Sequence, residues 1–530
     1  MRNLATKSNA RWFLRGAAFA GVLGVILHAI FQFVGGPTYI QNHTIGFWGA
    51  LVVVVFAAQA LDDLGKPKER LQHRFRLQFC YNVVVLVAAT ICFLSYAIAH
   101  RGHGTAWMVL LMAIQLVNLW ILHHRRKTDT VPVFDELPSP KPARLTDSGG
   151  CRKAVARCGR ACNVCCLSFM LLVLLLLIVG ATTLAKGPTM YPARGRHVSI
   201  QLADNSGREY QVHIHCDGPK NASFPVILLE SDGSHGMMDF WGLQLALTRN
   251  GRRSCIWDKP GLGYSDPRFL KGHENDFMTF FPPLVDALGE SSPFILVGWG
   301  GGGEFVYEYA TRFPQNVHSL VFLEAYPPDI EFLVLEQVKN YTRAETERQR
   351  TIQLTGRRVL LGILNFIGIP LGLMPIVVPA SDVTPRALAD ELRWYMLTDK
   401  TWSNQQFYLQ TSARKTLDDP TVFRTALDPR IAVHSIASVW SAEQVRRKKC
   451  TAALGVHSEA ECQEQIRSDA LYVAAKMELV RAHHGAQASY ASVQVNCTLD
   501  DCDQAYVVFQ NPQFTADALE RIYAATSLPS

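Results

Sequence analysis

The 530-residue chain is 48% hydrophobic and 18% charged, and carries a formal net charge of +7 at pH 7. That length is too great for one ordinary domain and implies roughly two to four. The positive excess lies in short loops between apolar runs, which excludes a nucleic-acid footprint and points to a membrane protein.

Five segments have the length and apolarity of membrane-spanning helices: Trp12 to Val34, Ile45 to Leu61, Phe79 to Ala99, Thr105 to Leu122, and Leu167 to Leu184. A cleaved signal peptide is the alternative for the first, because Arg2, Lys7, Arg11 and Arg15 precede its apolar stretch. The N-terminus, the loop Lys66–Arg76 and the stretch from Arg125 to Arg160 are basic. In the connections Gly35–Thr44 and Ala99–Gly104, Arg101 is the only firm positive charge. Basic loops face the cytosol. The N-terminus is therefore expected inside, and everything after Leu184 in a lumen or outside the cell, in the secretory pathway or at the plasma membrane. The layout is a four-helix module at residues 1–126, a cytosolic linker at 127–166 with four prolines from Pro132 to Pro142, and a fifth helix at 167–185.

Two patterns agree with this topology. Asn-x-Ser/Thr glycan acceptors stand at Asn42, Asn221, Asn340 and Asn496, all on the expected outer side. Six of the 13 cysteines follow Leu184: Cys216, Cys255, Cys450, Cys462, Cys497 and Cys502. Short spacing pairs Cys450 with Cys462 and Cys497 with Cys502, leaving Cys216 and Cys255 as a third pair. Buried free thiols are the alternative for each. On the inner side Cys162, Cys165 and Cys166, beside basic residues at the membrane edge, are candidate S-acylation sites, with plain packing as the competing reading. No histidine or second Cys-x-x-Cys completes a metal cluster there, and no metal or cofactor is expected.

From Arg196 the pattern changes. His197–Leu202 and Tyr210–Cys216 read as strands flanking a hairpin turn at Asp204–Gly207. Strands at Phe224–Leu229, Arg253–Trp257, Phe294–Val297 and His318–Leu323 alternate with helices at Met237–Thr248, Phe277–Leu288 and Glu304–Phe313. Such alternation predicts an α/β fold, a doubly wound, mostly parallel sheet covered on both faces. Ile431–Val439 and Tyr490–Val495 fit two further strands, and Phe514–Ala525 a closing helix.

Four motifs in this region resemble the α/β-hydrolase family. Pro225–Gly236 looks like the third strand and the loop that supplies an oxyanion-hole amide. Trp257–Pro267, with Asp258-Lys259-Pro260-Gly261-Leu262-Gly263-Tyr264-Ser265, resembles the family's turn after the fourth strand. Leu296-Val297-Gly298-Trp299-Gly300-Gly301-Gly302 resembles the nucleophile elbow, and Val321–Ala325 the strand that follows it. The resemblance implies a hydrolase-fold domain at 186–329 and 430–530, with a helical cap inserted at 330–429. Val359–Ala380, an uncharged run with Pro370, Pro375 and Pro379, could span a membrane by length. The strands on either side must join one sheet, however, so it reads as a cap surface, with a re-entrant segment as the alternative.

The same resemblance implies where a catalytic set should lie. Acyl transfer needs a nucleophile, a base in reach, an acid to orient the base, and amides aimed at the oxyanion. The nucleophile position is Gly300, which has no Oγ. The family's Gly-His-Phe-x5-Pro pattern, matched through Pro512, puts the base position at Ala505. No carboxylate follows the seventh strand between Ile431 and Ser441, and Glu324, ending the sixth, is the remaining acid candidate. The backbone amides of Gly301 and of Ser231 or Asp232 keep an oxyanion geometry that needs no side chain.

The expected function is therefore a polytopic membrane protein whose outward hydrolase-fold domain has lost ester hydrolysis. Its expected partners are the lipid bilayer and an apolar, lipid-like ligand or a protein, and not nucleic acid. The alternative is an active hydrolase with a displaced set drawn from Ser231, Ser234, Ser265, His235, His483 and His484. A third reading makes the N-terminal helices a transporter or sensor, but they hold few ionisable groups, His28 being one.

Overall fold

The computed structural model describes residues 2–34, 37–65, 75–98, 102–127, 168–182, 185, 187, 189–203, 209–220, 224–231, 236–266, 276–325, 330–373, 391, 394, 398, 426–439, 441–452, 456–484, 492–496 and 511–526. The chain forms two compact units, Met1–Met190 with Leu364–Val377, and Tyr191–Ile363 with Val378–Ser530.

The first unit contains α1 (Arg2–Val34), α2 (Pro37–Gly65), α3 (Phe75–Ile98), α4 (Gly102–Lys127) and α5 (Ser168–Thr182). Helix α2 begins at Pro37, whose fixed φ and missing N–H suit a first helical position. The expected connection Gly35–Thr44 is therefore largely helical, and Asn42 lies within it. Among the described residues two stretches are long and apolar enough to cross a membrane, Asn9–His28 and Ala106–His123. The apolar parts of the other three helices, Phe47–Leu61, Cys80–Ser95 and Ser168–Thr182, are shorter. The described residues thus hold two of the five expected spans at full length.

Some polar groups of the unit are turned inward. Trp107 Nε1 donates to His28 Nε2 at 3.1 Å, and Asn118 Nδ2 to the Asn82 Oδ1 at 3.4 Å, while Gln115 is wholly buried. Facing outward are Phe19, Val22 and Ile26 of α1, Val84 and Val87 of α3, Leu116 of α4, and Phe169 and Leu172 of α5.

The second unit holds an eight-stranded sheet. Its strands are β1 (Arg196–Gln201), β2 (Glu209–Asp217), β3 (Ile227–Glu230), β4 (Ser254–Trp257), β5 (Phe294–Trp299), β6 (Val317–Leu323), β7 (Ala432–Val439) and β8 (Ser492–Asn496). Their order is β1-β2-β4-β3-β5-β6-β7-β8, with β2 antiparallel to both neighbours and every other pairing parallel. Successive side chains in a strand point to opposite faces, and this divides the core in two. Ile227, Leu229, Ile256, Ile295, Val297, Val321 and Leu323 pack with α6 (Trp241–Arg249) and the closing helix, Pro512–Thr526. Leu228, Trp257, Leu296, Leu320 and Phe322 pack on the other face with α7 (Asp276–Ala287) and α8 (Gly302–Arg312). Both faces being covered explains why Ile227–Leu229, Cys255–Trp257 and Phe294–Val297 read as apolar runs. An aromatic stack anchors the second face, with Phe277 to Phe281 at 4.4 Å and Phe281 to Tyr309 at 4.9 Å between ring centroids. The helix expected at Met237–Thr248 is divided into a tight turn at Gly236–Phe240 and α6.

After β6 come α9 (Ile330–Gln337) and α10 (Arg343–Ile363). The uncharged run expected in the cap is split at this point, since Leu364–Val377 belongs to the first unit. Beyond β7 lie α11 (Ala442–Lys449) and α12 (Glu459–His484).

Two of the three expected disulfides are formed. Cys216 and Cys255 stand directly opposite each other on β2 and β4, and Cys450–Cys462 joins the end of α11 to α12 beside a bidentate Arg446–Glu459 pair. Cys497 and Cys502 lie outside the described residues, as do Cys162, Cys165, Cys166 and Asn221. Asn340 is exposed in a left-handed conformation (φ 55°) that asparagine tolerates, and Asn496 ends β8. Replacing both Cys216 and Cys255 by alanine is expected to cost about 2–4 kcal/mol, because the bridge closes a long loop in the unfolded chain. A lower thermal unfolding midpoint of the purified full chain, matched by reductant on the wild type, checks this.

Candidate functional site

Strand β5 ends at Trp299 and α8 begins at Gly302, so two residues must turn the chain from the sheet edge into a helix. Gly300 does this with φ 53°, in the left-handed region that glycine occupies without strain. Its N–H donates to the Leu323 carbonyl at 3.0 Å, and its own carbonyl accepts from Gly303 N at 3.1 Å. Close approach sets the residue types on either side. A Cβ at Gly298 would lie 2.6 Å from Gly303 Cα, and one at Gly302 would lie 2.4 Å from the Glu230 carbonyl oxygen and 2.8 Å from that of Ser231. Gly301 caps the helix in α conformation (φ −62°).

The β5–β6 register pairs Trp299 with Leu323 and so brings the next residues, Gly300 and Glu324, side by side at the ends of neighbouring strands. Glu324 is buried and takes φ 51°, a left-handed conformation that costs a non-glycine residue about 1–2 kcal/mol. Its N–H donates to the Ile436 carbonyl at 2.9 Å, which ties the turn to β7. Ser231, at the end of β3, is buried against the start of α8. Among the described residues the structure thus gathers Gly300, Gly301, Ser231 and Glu324 at one sheet edge. Asp232, Ser234, His235 and Ala505 lie outside the described residues. His483 and His484 close α12.

Beneath the turn lies a buried ion pair not singled out from the sequence. Lys259 Nζ is 2.5 Å from Glu230 Oε1, donates to the Ser231 carbonyl at 2.6 Å, and sits 4.4 Å from the centre of the Phe305 ring. Both side chains are buried. Lys259 thereby fixes the end of β3 on which the helix start rests. A glutamate closing the otherwise apolar strand Ile227–Glu230 was the available signal, since a buried carboxylate demands a partner.

The turn after β4 has its own network. The Asp258 carboxylate accepts from His213 Nδ1 at 2.9 Å, from Met237 N at 3.0 Å and from Tyr264 N at 3.0 Å. A carboxylate engaged in this way can only accept, so His213 carries its proton on Nδ1. Ser265 Oγ donates to the Asp258 carbonyl at 2.6 Å and accepts from His213 N at 2.8 Å, which commits this hydroxyl to the backbone. Tyr264 OH bonds to the Tyr191 carbonyl and to Glu391. Burial first, and then the Glu391 carboxylate, raise its phenol above the ordinary range.

A family model for the alpha/beta hydrolase fold matches residues 225–359, the stretch that carries β3 to β6 and the turn at Gly300. The second unit has the α/β-hydrolase fold. An uncharacterized protein of Schizosaccharomyces pombe is 34% identical over 152 residues, 24% of this chain, and the chain spans 28% of that relative's length. Among solved structures, a thermophilic esterase from Thermogutta terrifontis is 12% identical with a TM-score of 0.39, covering 63% of this chain and 100% of its own. The Cif epoxide hydrolase from Acinetobacter nosocomialis is 13% identical with a TM-score of 0.43, covering 65% of this chain and 96% of its own.

Proposed function

We propose that this chain is a membrane protein whose hydrolase-fold domain faces a lumen or the cell exterior, does not hydrolyse esters, and binds an apolar, lipid-like ligand or a partner protein. The observation that carries the reading is Gly300 itself. It holds the left-handed turn between two close-packed glycines at the end of β5, where the fold presents its nucleophile, and it offers no hydroxyl. Triad members act as a unit, and Ala505 at the family's histidine position removes the base as well.

The membrane assignment draws support from the first unit. Its helices are apolar on their outward faces as well as inside, a pattern that suits lipid rather than water. The Asn82–Asn118 and His28–Trp107 contacts join helices in the interior, as polar side chains do within a bilayer. The disulfides Cys216–Cys255 and Cys450–Cys462 suit an oxidising compartment for the second unit. In this reading Asn340 and Asn496 carry glycans and the bilayer is the first partner.

Purified chain treated with a fluorophosphonate probe is expected to show no specific labelling. Labelling that disappears on substitution of a single serine would overturn the inactive reading and establish a displaced nucleophile.

A further inference from the structure

We propose that residues 364–373 form a re-entrant hairpin that dips into the lipid bilayer against α5, so that the cap of the hydrolase-fold domain is tethered to the membrane at its apolar end. This rests on the reading of the first unit as membrane-embedded.

The chain supplies the composition. From Val359 to Leu373 there is no charged residue, and Asn365 is the single polar side chain. Helix α10 ends at Ile363 and continues into a π-helical turn, Leu364–Gly368, followed by Ile369-Pro370-Leu371-Gly372-Leu373. Ile369 and Leu371 are buried, and Leu371 belongs to the same apolar core as Val173, Leu174 and Leu177 of α5.

Two glycines make the approach close. A Cβ at Gly180 of α5 would stand 2.3 Å from the Pro370 carbonyl oxygen, and one at Gly372, which has φ 64°, would stand 2.7 Å from Gly180 N. Backbone contact through small residues is how helices associate in lipid, where apolar burial between them gains little.

Irregular backbone survives at membrane depth only if its polar groups are satisfied internally or covered by protein. The hairpin meets that demand. Ile369 N donates to the Leu364 carbonyl at 3.1 Å, Leu371 N to Ile367 at 3.3 Å, Gly372 N to Ile369 at 3.0 Å, and Leu373 N to Gly368 at 2.8 Å.

Topology requires the segment to return. β6 and β7, which precede and follow it, pair from Ser319 with Ala432 to Leu323 with Ile436, so the chain leaves one sheet and comes back to that same sheet. A spanning helix is excluded, and an apolar excursion that turns back remains. On its outer surface Ile367 is 37% exposed. Continuity with the lipid-facing residues of α5, Leu175 and Val179, names the occupant as acyl chains.

The test uses the full chain in phosphatidylcholine nanodiscs, with the photo-crosslinker benzoylphenylalanine placed in turn at Ile367, at Val22 on the outer face of α1, and at Arg467 on the exposed face of α12. Lipid adducts are read by mass spectrometry. Ile367 and Val22 are expected to exceed Arg467 by about tenfold, since charged surface positions avoid the acyl region. Adducts at Val22 without adducts at Ile367 would overturn the hairpin and leave the membrane reading intact. Adducts at neither would remove both.

Discussion

Lys259→Met is expected to lower the stability of the hydrolase-fold unit by about 3–5 kcal/mol, the usual cost of leaving one partner of a buried ion pair alone. The substitution keeps the length of the side chain and its apolar stem, so the loss is that of the ammonium. Glu230 is fully buried and would lose a partner at 2.5 Å, while the Ser231 carbonyl would lose its 2.6 Å donor. Thermal unfolding of the purified full chain should show the later-described unit melting of order 10 °C lower. The double variant Glu230→Gln with Lys259→Met should recover most of that, because replacing both partners of a buried pair is often close to neutral. A midpoint unmoved by Lys259→Met would show that the pair contributes nothing to stability.

Gly302→Val is expected to be comparably damaging, at about 3 kcal/mol or more, because overpacking against main chain cannot relax by rotating a side chain. The new Cβ would meet two backbone carbonyl oxygens at 2.4 and 2.8 Å. Helix α8 would have to retreat from β3, opening the Gly298–Gly303 contact that lets the elbow turn. Gly251→Ala is the comparison. Gly251 has φ 73° and open space around its Cα, so the substitution pays only for the left-handed backbone, about 1–2 kcal/mol. Equal losses for the two variants, read as unfolding midpoints, would refute the steric account.

These two effects differ in how far they could be read beforehand. The glycine cluster from Gly298 to Gly303 is legible because strand, turn and helix are local features whose residue types follow from short-range sterics. The ion pair is not, because Glu230 and Lys259 are 29 positions apart in sequence and meet only when β3 and β4 pair in the sheet. For the same reason Cys216 and Cys255 could be proposed by elimination, whereas only the β2–β4 register sets them opposite each other.

The membrane-helix reading shows the opposite limit. Window hydropathy marks apolar runs, but helix length depends on what the flanking residues do. Pro37 starts α2 eight residues before the apolar run that marks it in the sequence. The run Val359–Ala380 was recognised as apolar and as unable to span. That its middle part packs on α5 depends on Gly180 and Gly372, glycines distant in sequence that allow two backbones to touch.

By itself, then, the sequence determined the strands and helices of the sheet domain in chain order, the family resemblance and the residue at each expected catalytic position, because periodicity and turn chemistry are local. Tertiary structure alone decided the Glu230–Lys259 support beneath the elbow, the strained Glu324 beside Gly300, and the attachment of residues 364–373 to α5. Each of these depends on contacts between residues far apart in the chain, and such contacts leave no periodic trace.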